Sequence, residues 1–191
     1  MGYDMYAEDG PDEAERLAVA EAHERLKQAR ATGTGVLEAY QRIDAATRSY
    51  YRFSVWDMGT ARELMGAFGM LTFEDEPAWP EVAEYTEARA ALEKAPDDEA
   101  VRKAAEAVRA RLSAATEAVR VADPGGAGIS HYKLCSNDAW LVSPREIEAA
   151  LKAYACAASE DLEEAARDFA QWDSWVRFLT EAQARGGFRV C

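Results

Sequence analysis

The chain has 191 residues, of which 49% are hydrophobic and 30% are charged, and its formal net charge is -13. This composition predicts a globular protein and disfavours an intrinsically disordered one. The negative charge disfavours direct binding to nucleic acid or to an anionic membrane, because both need a basic protein surface. We therefore expect neither of these partners.

Cysteine usage and hydropathy indicate a reducing compartment. The chain has three cysteines, Cys135, Cys156 and Cys191, and no two of them have Cys-x-x-Cys spacing. An odd number without paired spacing disfavours a disulfide framework and a zinc site. No apolar run approaches the ~18 residues of a membrane span, and no signal peptide precedes the first polar residues. We expect a cytoplasmic protein that has no cofactor and no metal.

Two segments of the first third alternate apolar and polar side chains, as in half-buried strands. They are residues 2–6 and residues 50–56, and the second is rich in aromatic and β-branched side chains. Helical spacing between them predicts helices over residues 11–31 and 35–49. Thr60, followed three residues later by Glu63, predicts a capping box at the start of a further helix.

An acidic pair of helices follows a proline-containing boundary. Apolar spacing predicts helices over residues 80–94 and 97–121 that form an αα-hairpin. Residues 74–106 hold eleven acidic and four basic side chains, a local charge of -7. We interpret residues 79–121 as an acidic helical-hairpin insertion that projects from a single domain of residues 1–191. It is either a solvated arm or a docking surface for a partner, including a second copy of the chain.

Residues 129–146 form a junction after the hairpin. Asn137 and Asp138 predict a turn held by hydrogen bonds from side chain to backbone. A short strand is predicted next, with Trp140 facing the core. A helix start then shows a cap, a proline and a glutamate in the order of a capping box: Ser143, Pro144 and Glu146.

The same junction holds the side chains best suited to chemistry. His131 lies four residues before Cys135, and a neighbouring histidine can activate a thiol. With Asn137 and Asp138, this pair could form a small enzyme site or a ligand pocket. The spacing lacks the paired ligands of a zinc site. We assign no catalytic residue and lean towards a protein that is not an enzyme.

The predicted binding residues come from the junction and from residues 50–57, and the decisive observation is whether the two segments line one pocket. A small pocket can form where a polar turn lies beside an aromatic side chain. The six residues are His131, Asn137, Asp138, Trp140, Arg52 and Asp57.

The last part of the chain predicts the main packing helix. Ser159 caps a helix whose apolar side chains keep helical spacing over nearly five turns, to about residue 184. Residues 188–191 predict a last strand, paired with the strand at residues 50–56. Together these elements predict a mostly helical α+β fold with a small antiparallel or mixed sheet and packed helices.

Four sequence blocks, covering about half of the chain, resemble a family of uncharacterised small proteins from actinobacteria and their phages. The blocks are Gly2-Tyr-Asp-Met-Tyr6, Trp56-Asp-Met-Gly59 leading into Arg62-Glu-Leu-Met65, Leu134 to Pro144, and Trp175 to Val190. The resemblance implies a cytosolic origin and one fold built from both ends of the chain. It implies no activity, cofactor or catalytic residue. Ala139 departs from the glycine expected after Asn-Asp.

Three functions remain open from the sequence. The first is a non-enzymatic binding module that uses the acidic hairpin and the polar turn around Asn137 and Trp140, with a protein partner or a homodimer. The second is the small enzyme or pocket at His131 and Cys135. The third is an acidic mimic of nucleic acid that inhibits a DNA-binding protein.

Overall fold

The computed structural model describes residues 2–157 and 159–191, and all statements below concern this part of the chain. Its contacts divide the chain into two compact units. The main unit runs up to Glu74 and resumes at Asp123, and the hairpin unit is Asp75–Ala122. Among the described residues, no helix has both the length and the apolar character needed to cross a membrane.

The main unit is predominantly helical with a small sheet, which confirms the predicted α+β class. Its strands are β1 (Gly2–Ala7), β2 (Tyr50–Ser54), β3 (Leu71–Thr72), β4 (Ile129–Ser130), β5 (Trp140–Val142) and β6 (Phe188–Val190). Its first three helices are α1 (Glu13–Thr32), α2 (Val36–Ala46) and α3 (Val55–Ala67). The hairpin unit contributes α4 (Ala83–Lys94) and α5 (Glu99–Arg120). A short 3₁₀ helix (His131–Leu134), α6 (Pro144–Cys156), α7 (Glu160–Asp168) and α8 (Trp172–Gln183) complete the main unit.

The four-stranded sheet has the order β2-β1-β6-β5, and every neighbouring pair is antiparallel. The predicted pairing of the last strand with residues 50–56 is wrong. On β1, Met5 lies opposite Tyr51 of β2 and opposite Val190 of β6, so β1 separates these two strands. A local pattern identifies a strand but not its neighbours, because pairing depends on contacts far apart in sequence. A second, parallel pair joins β3 to β4.

Aromatic side chains fill the space between the sheet and α8. Trp175 is fully buried, and its ring centroid lies 5.2 Å from that of Phe53 on β2 and 5.8 Å from that of Phe188 on β6. Rings at such separations add favourable contacts to the burial of their area. The prediction that this helical region packs centrally on the sheet is therefore confirmed.

Two predicted helix boundaries are wrong. The helix that follows β2 begins at Val55, because Ser54 caps it and forms a capping box with Asp57. The proposed box at Thr60 therefore lies inside α3, and the strand ends before Trp56. The last helical region is two helices, because Phe169 has extended backbone angles between α7 and α8.

A buried ion pair stabilises the junction, residues 129–146, in which α6 begins. The side chains of Lys133 and Glu146 are 0% and 1% exposed, and Lys133 Nζ lies 2.8 Å from Glu146 Oε2. Lys133 Nζ also donates to the backbone oxygen of Leu141, and Glu146 accepts from the backbone N–H groups of Ser130 and Ser143. Buried charges are tolerated only when they are paired and hydrogen-bonded in this way. The capping box predicted at Ser143 and Glu146 is confirmed.

Asp123 makes further hydrogen bonds to the same junction. Its carboxylate accepts hydrogen bonds from Arg145, from the Ser143 hydroxyl and from the backbone N–H of Gly125. The Arg145 hydrogen bond is the main reason that the pKa of Asp123 falls to about 2. The loop before the junction is therefore tied to the first turn of α6.

A second buried carboxylate fixes the loop before β2. Glu15 on α1 is 1% exposed, and its Oε1 accepts from the backbone N–H groups of Arg48 and Ser49. Its Oε2 lies 2.9 Å from Arg185 Nη1 in an ion pair. Burial raises the pKa of Glu15, but the hydrogen bonds from Ser49 and Arg48 together outweigh it, so the pKa lies below its usual value. Arg48 is thereby placed at the entrance of β2.

Gly187 allows β6 to approach the start of α6 closely. Its backbone φ is +95°, a conformation that L side chains rarely adopt. A Cβ atom at this position would lie 2.1 Å from the backbone oxygen of Val142. A glycine is therefore required here, both for its backbone angle and for space.

The hairpin unit is less acidic than the sequence count over residues 74–106 indicated. The whole unit holds eleven acidic and seven basic residues, a net charge of -4. Helix α5 alone has five basic and three acidic residues. The acidic side chains are concentrated on α4, on the segment before it and on the turn between the two helices. The hairpin unit therefore carries basic as well as acidic side chains, and its net charge of -4 does not by itself identify an acidic docking surface.

Candidate functional site

The predicted binding residues occupy several different environments. Trp140 is fully buried, and its indole N–H donates to Ser136 Oγ, so it is a core side chain. Asn137 Nδ2 donates to the backbone oxygen of Gly2 and ties the turn to β1. Asp57 serves the capping box of α3. Asp138 is exposed on the turn.

The turn itself depends on the residue after Asp138. Ala139 has a φ of +61°, in the left-handed region, where glycine is usual. Its backbone N–H donates to the backbone oxygen of Val190 and its backbone oxygen accepts from Arg189. The polar groups of this turn are thus used to join strands β5, β6 and β1, and few of them remain available to bind a ligand.

His131 and Cys135 do come together, as their spacing predicted. Cys135 Sγ lies 3.4 Å from His131 Nδ1, and the thiol is exposed. Arg62 on α3, which the sequence analysis did not select, places Nη1 3.1 Å from Cys135 Sγ. We call these three side chains the thiol cluster. They unite a nucleophile, a proton acceptor and a positive charge.

A shallow groove of about 450 Å³ lies beside the thiol cluster. Its lining includes Arg62, Glu63, Phe73 and His131. The Phe73 and His131 rings lie 5.0 Å apart at 31°, so the aromatic ring restrains the imidazole. Burial, and then the charge of Arg62, lower the pKa of His131. The imidazole is therefore neutral at neutral pH and can accept a proton.

A larger cavity lies elsewhere in the main unit, between α2, β2 and α8, with a volume of about 610 Å³. Its size falls in the range of small-molecule sites. We call it the tyrosine–arginine cleft, after its main lining side chains. They include Tyr50, Tyr51, Arg48, Arg52, Arg177 and Phe178.

Three arginines meet in this cleft although the chain is strongly acidic. Arg48 pairs with Asp12 at 3.2 Å and with Glu181 at 3.9 Å, and Arg52 lies 3.6 Å from Asp4. Within the part of the chain that the structure describes, Arg177 makes no side-chain ion pair. Two acidic side chains, Asp44 and Glu181, also line the cleft, and together with Asp12 and Asp4 they give four carboxylates around the three arginines.

The tyrosines give the cleft a rigid, neutral wall. Tyr51 hydroxyl lies 2.8 Å from Ser174 Oγ, and Tyr50 hydroxyl donates to Asp4 at 2.5 Å. Burial is the main reason that the pKa of each phenol rises to about 12, and Asp4 adds to the effect at Tyr50. Both rings therefore stay uncharged at neutral pH.

Of the cleft residues, Arg52 was the one predicted from the sequence, as a binding residue together with those of the junction. The structure instead joins Arg52 to Arg48, on the same strand region, and to Arg177 on α8. One sequence signal for this cleft was available. Arg48 lies just before the aromatic strand and Arg52 lies within it, in a chain of net charge -13. Nothing local links that strand to Arg177, which lies far along the chain.

Among the described residues, no three His, Cys, Asp or Glu side chains are grouped so that they could hold a metal ion. The chain matches no protein-family model, no curated protein and no solved structure. The resemblance to small actinobacterial and phage proteins therefore stays a prediction.

Proposed function

We propose that this chain is a binding protein whose tyrosine–arginine cleft recognises a small anionic molecule with a planar ring. The observation that supports this most directly is the convergence of three arginines on one cavity of about 610 Å³ in an acidic chain. Guanidinium groups pair well with carboxylate and phosphate oxygens. Arg48 and Arg52 already have carboxylate partners, so Arg177, which lines the cleft without a side-chain ion pair among the described residues, is the guanidinium best placed to meet an anion.

The aromatic side chains favour a ring on the ligand. Tyr51 packs against Phe178 at 5.4 Å between ring centroids, and the phenol is held by Ser174 and by the backbone oxygen of Gln171. A wall restrained in this way loses little freedom when a ligand binds, which favours affinity. A planar ring can lie against the tyrosines while its acidic group faces the arginines.

We expect aromatic carboxylates or nucleoside monophosphates to bind the chain more tightly than their neutral counterparts do. Calorimetry with benzoate against benzamide, and with nucleotides against nucleosides, measures the difference. The double variant Arg52→Gln/Arg177→Gln should weaken the tightest of these anions by about tenfold or more, because hydrogen bonds to charged groups contribute ~1.5–3 kcal/mol each.

The matched control is Arg16→Gln/Arg25→Gln on α1, which removes the same charge away from the cleft. This variant should bind the anions as the unaltered protein does. If every anion binds both double variants equally well, or if no anion binds the unaltered protein, the cleft is not the recognition site.

The hairpin unit favours a second binding role, docking of a protein helix. No residue of α4 or α5 is fully buried. Their apolar stripes face each other and remain half-exposed, with Leu92 on α4 and Val108 and Leu112 on α5. Two helices alone cannot enclose such a seam, and a third helix would complete its burial.

One flank of this seam has the chemistry of a helix-binding groove. It measures about 450 Å³ and combines a floor of small or apolar side chains with a basic rim. Ala88, Leu92 and Ala105 line the floor, and Arg89, Arg102 and Arg109 line the rim, with Glu106 as the acidic member. Glu93 and Glu99 already pair with Arg89 and Arg102, so the rim favours an amphipathic helix with an acidic residue that meets Arg109 beside its apolar stripe.

Site-specific photo-crosslinking in the native host tests the helix-docking role. A crosslinking side chain at Ala105, in the groove, should capture an acidic amphipathic segment. The same side chain at Ala110, exposed elsewhere on α5, is the control and should capture it far less. Equal capture at both positions, or capture of basic segments, would contradict the role. Capture of α4 or α5 from another copy would identify a homodimer.

The nucleic-acid mimic receives no support from this arrangement. Carboxylates on the hairpin pair with arginines, as Glu84 does with Arg111 and Glu93 does with Arg89. A mimic needs rows of uncompensated negative charge that replace phosphates.

A further inference from the structure

We propose that Cys135 is a nucleophilic thiol that forms mixed disulfides with small anionic disulfide compounds. This inference is independent of ligand binding in the cleft and of the hairpin. It rests on the thiol cluster, where the side chains of Arg62 and His131, from two different helices, converge on the exposed sulfur of Cys135.

The sulfur has a proton acceptor at one side. Cys135 follows the 3₁₀ helix that begins at His131, and this short helix brings the thiol within 3.4 Å of Nδ1. The imidazole is restrained by the Phe73 ring and is neutral at neutral pH, as its lowered pKa requires. Sγ also lies 3.7 Å from Nε2 and 3.3 Å from the His131 backbone oxygen, so the thiol donates to that oxygen here and the neutral imidazole takes the proton after turning a ring nitrogen towards the sulfur.

A fixed positive charge lies at the other side. Arg62 Nη1 donates both to Cys135 Sγ at 3.1 Å and to the backbone oxygen of Leu134 at 3.2 Å. The backbone contact holds the guanidinium against the sulfur before any reagent arrives. Its charge stabilises the negative charge that sulfur carries during attack, and it attracts an anionic reagent.

The open groove beside the cluster gives a reagent access. Phe73 is 73% exposed and offers an apolar surface beside His131. Glu63 also lines the groove, and its negative charge repels anions. An anionic reagent must therefore be attracted by the positive charge of Arg62. Tyr3 supports the opposite side of the cluster by donating its hydroxyl to the backbone oxygen of Cys135.

The reaction is thiol–disulfide exchange. His131 accepts the proton of the Cys135 thiol, and the sulfur attacks one sulfur atom of the disulfide. A new S–S bond forms at Cys135 as the original S–S bond breaks. The leaving thiolate departs with the electron pair of the broken bond, and the proton on the imidazolium passes to that thiolate or, when the thiolate is a weak base, to water. Cys135 is oxidised and the leaving sulfur is reduced, so no further oxidant is needed.

The reaction of the intact protein with the anionic aromatic disulfide DTNB tests the proposal. The colour of the released thiolate gives the rate, and peptide mass spectrometry assigns it to individual cysteines. Cys156, exposed on α6, is the internal reference thiol. We expect Cys135 to react at least roughly tenfold faster than Cys156 at neutral pH, because a positioned base accelerates such steps. Equal rates in the unaltered protein would overturn the proposal without any variant.

Two variants separate the contributions. Arg62→Gln and His131→Gln should each bring the rate at Cys135 towards that of Cys156, with the thermal melting curve showing that each variant remains folded. A neutral dithiodipyridine reagent should show a smaller effect of Arg62→Gln than DTNB does, because only the anion is attracted by the charge. If both variants react with DTNB as the unaltered protein does, the cluster does not activate the thiol.

Discussion

Replacing Lys133 with methionine is expected to lower the free energy of unfolding by about 3–5 kcal/mol, because it removes one partner of a buried ion pair. Glu146 would stay almost fully enclosed, at 1% exposure, without its cation. Methionine keeps most of the volume of lysine, so cavity formation contributes little. Urea denaturation of the single variant measures the loss. The dependence of the unfolding free energy on urea concentration is compared with that of the unaltered protein.

Two further variants make this prediction specific. Lys152→Met, at an exposed position on α6, is the control and should change stability by less than about 0.5 kcal/mol. The double variant Lys133→Met/Glu146→Gln should recover part of the loss, because the remaining amide is neutral and can still accept from Ser143. A loss below about 1 kcal/mol for Lys133→Met would show that the pair contributes little.

Replacing Gly187 with alanine is expected to destabilise the protein by about 3 kcal/mol or more. The positive φ alone disfavours a side chain by ~1–3 kcal/mol. In addition, the new methyl group would lie 2.1 Å from the backbone oxygen of Val142, which is part of β5 and cannot move without disturbing the sheet. Thermal and urea unfolding of the purified variant give the measurement.

The neighbouring glycine provides the matched control for this steric argument. Gly186 also has a positive φ, of +81°, but a Cβ atom there would approach Glu8 no closer than 3.4 Å. Gly186→Ala should therefore show only the backbone penalty of ~1–2 kcal/mol. If the two alanine variants are equally stable, close approach to β5 is not what requires glycine at position 187.

The sequence predicted elements well where the signal is local. The capping box at Ser143 is confirmed because its cap, proline and glutamate all lie within four residues. The same spacing rule predicted the wrong capping box for α3. Thr60 and Glu63 have the right spacing, but Ser54 and Asp57 form the capping box that the structure contains. Spacing alone does not decide between competing caps, because the end of β2 fixes where the helix can start.

The candidate sites were harder to predict than the helices and strands. His131 and Cys135 could be paired because four residues separate them, and the structure brings them together. Arg62 belongs to another helix, so no spacing pointed to it. Trp140 was expected both as a core residue and as a ligand contact, and its complete burial supports only the first. Sites assembled from separate elements depend on tertiary packing, which a single sequence does not display.

The strand order also determines when the sheet can form during synthesis. Strand β1 is made first and lies in the interior of the sheet, yet one of its two neighbours is β6. Closing the chain between Met5 and Val190 requires nearly the whole sequence and loses considerable chain entropy. Until β6 has been made, the early helices can form and β2 can pair with β1, but one edge of β1 stays open. An open edge can pair with the wrong strand, so the sheet is most exposed to misassembly between the synthesis of β1 and that of β6.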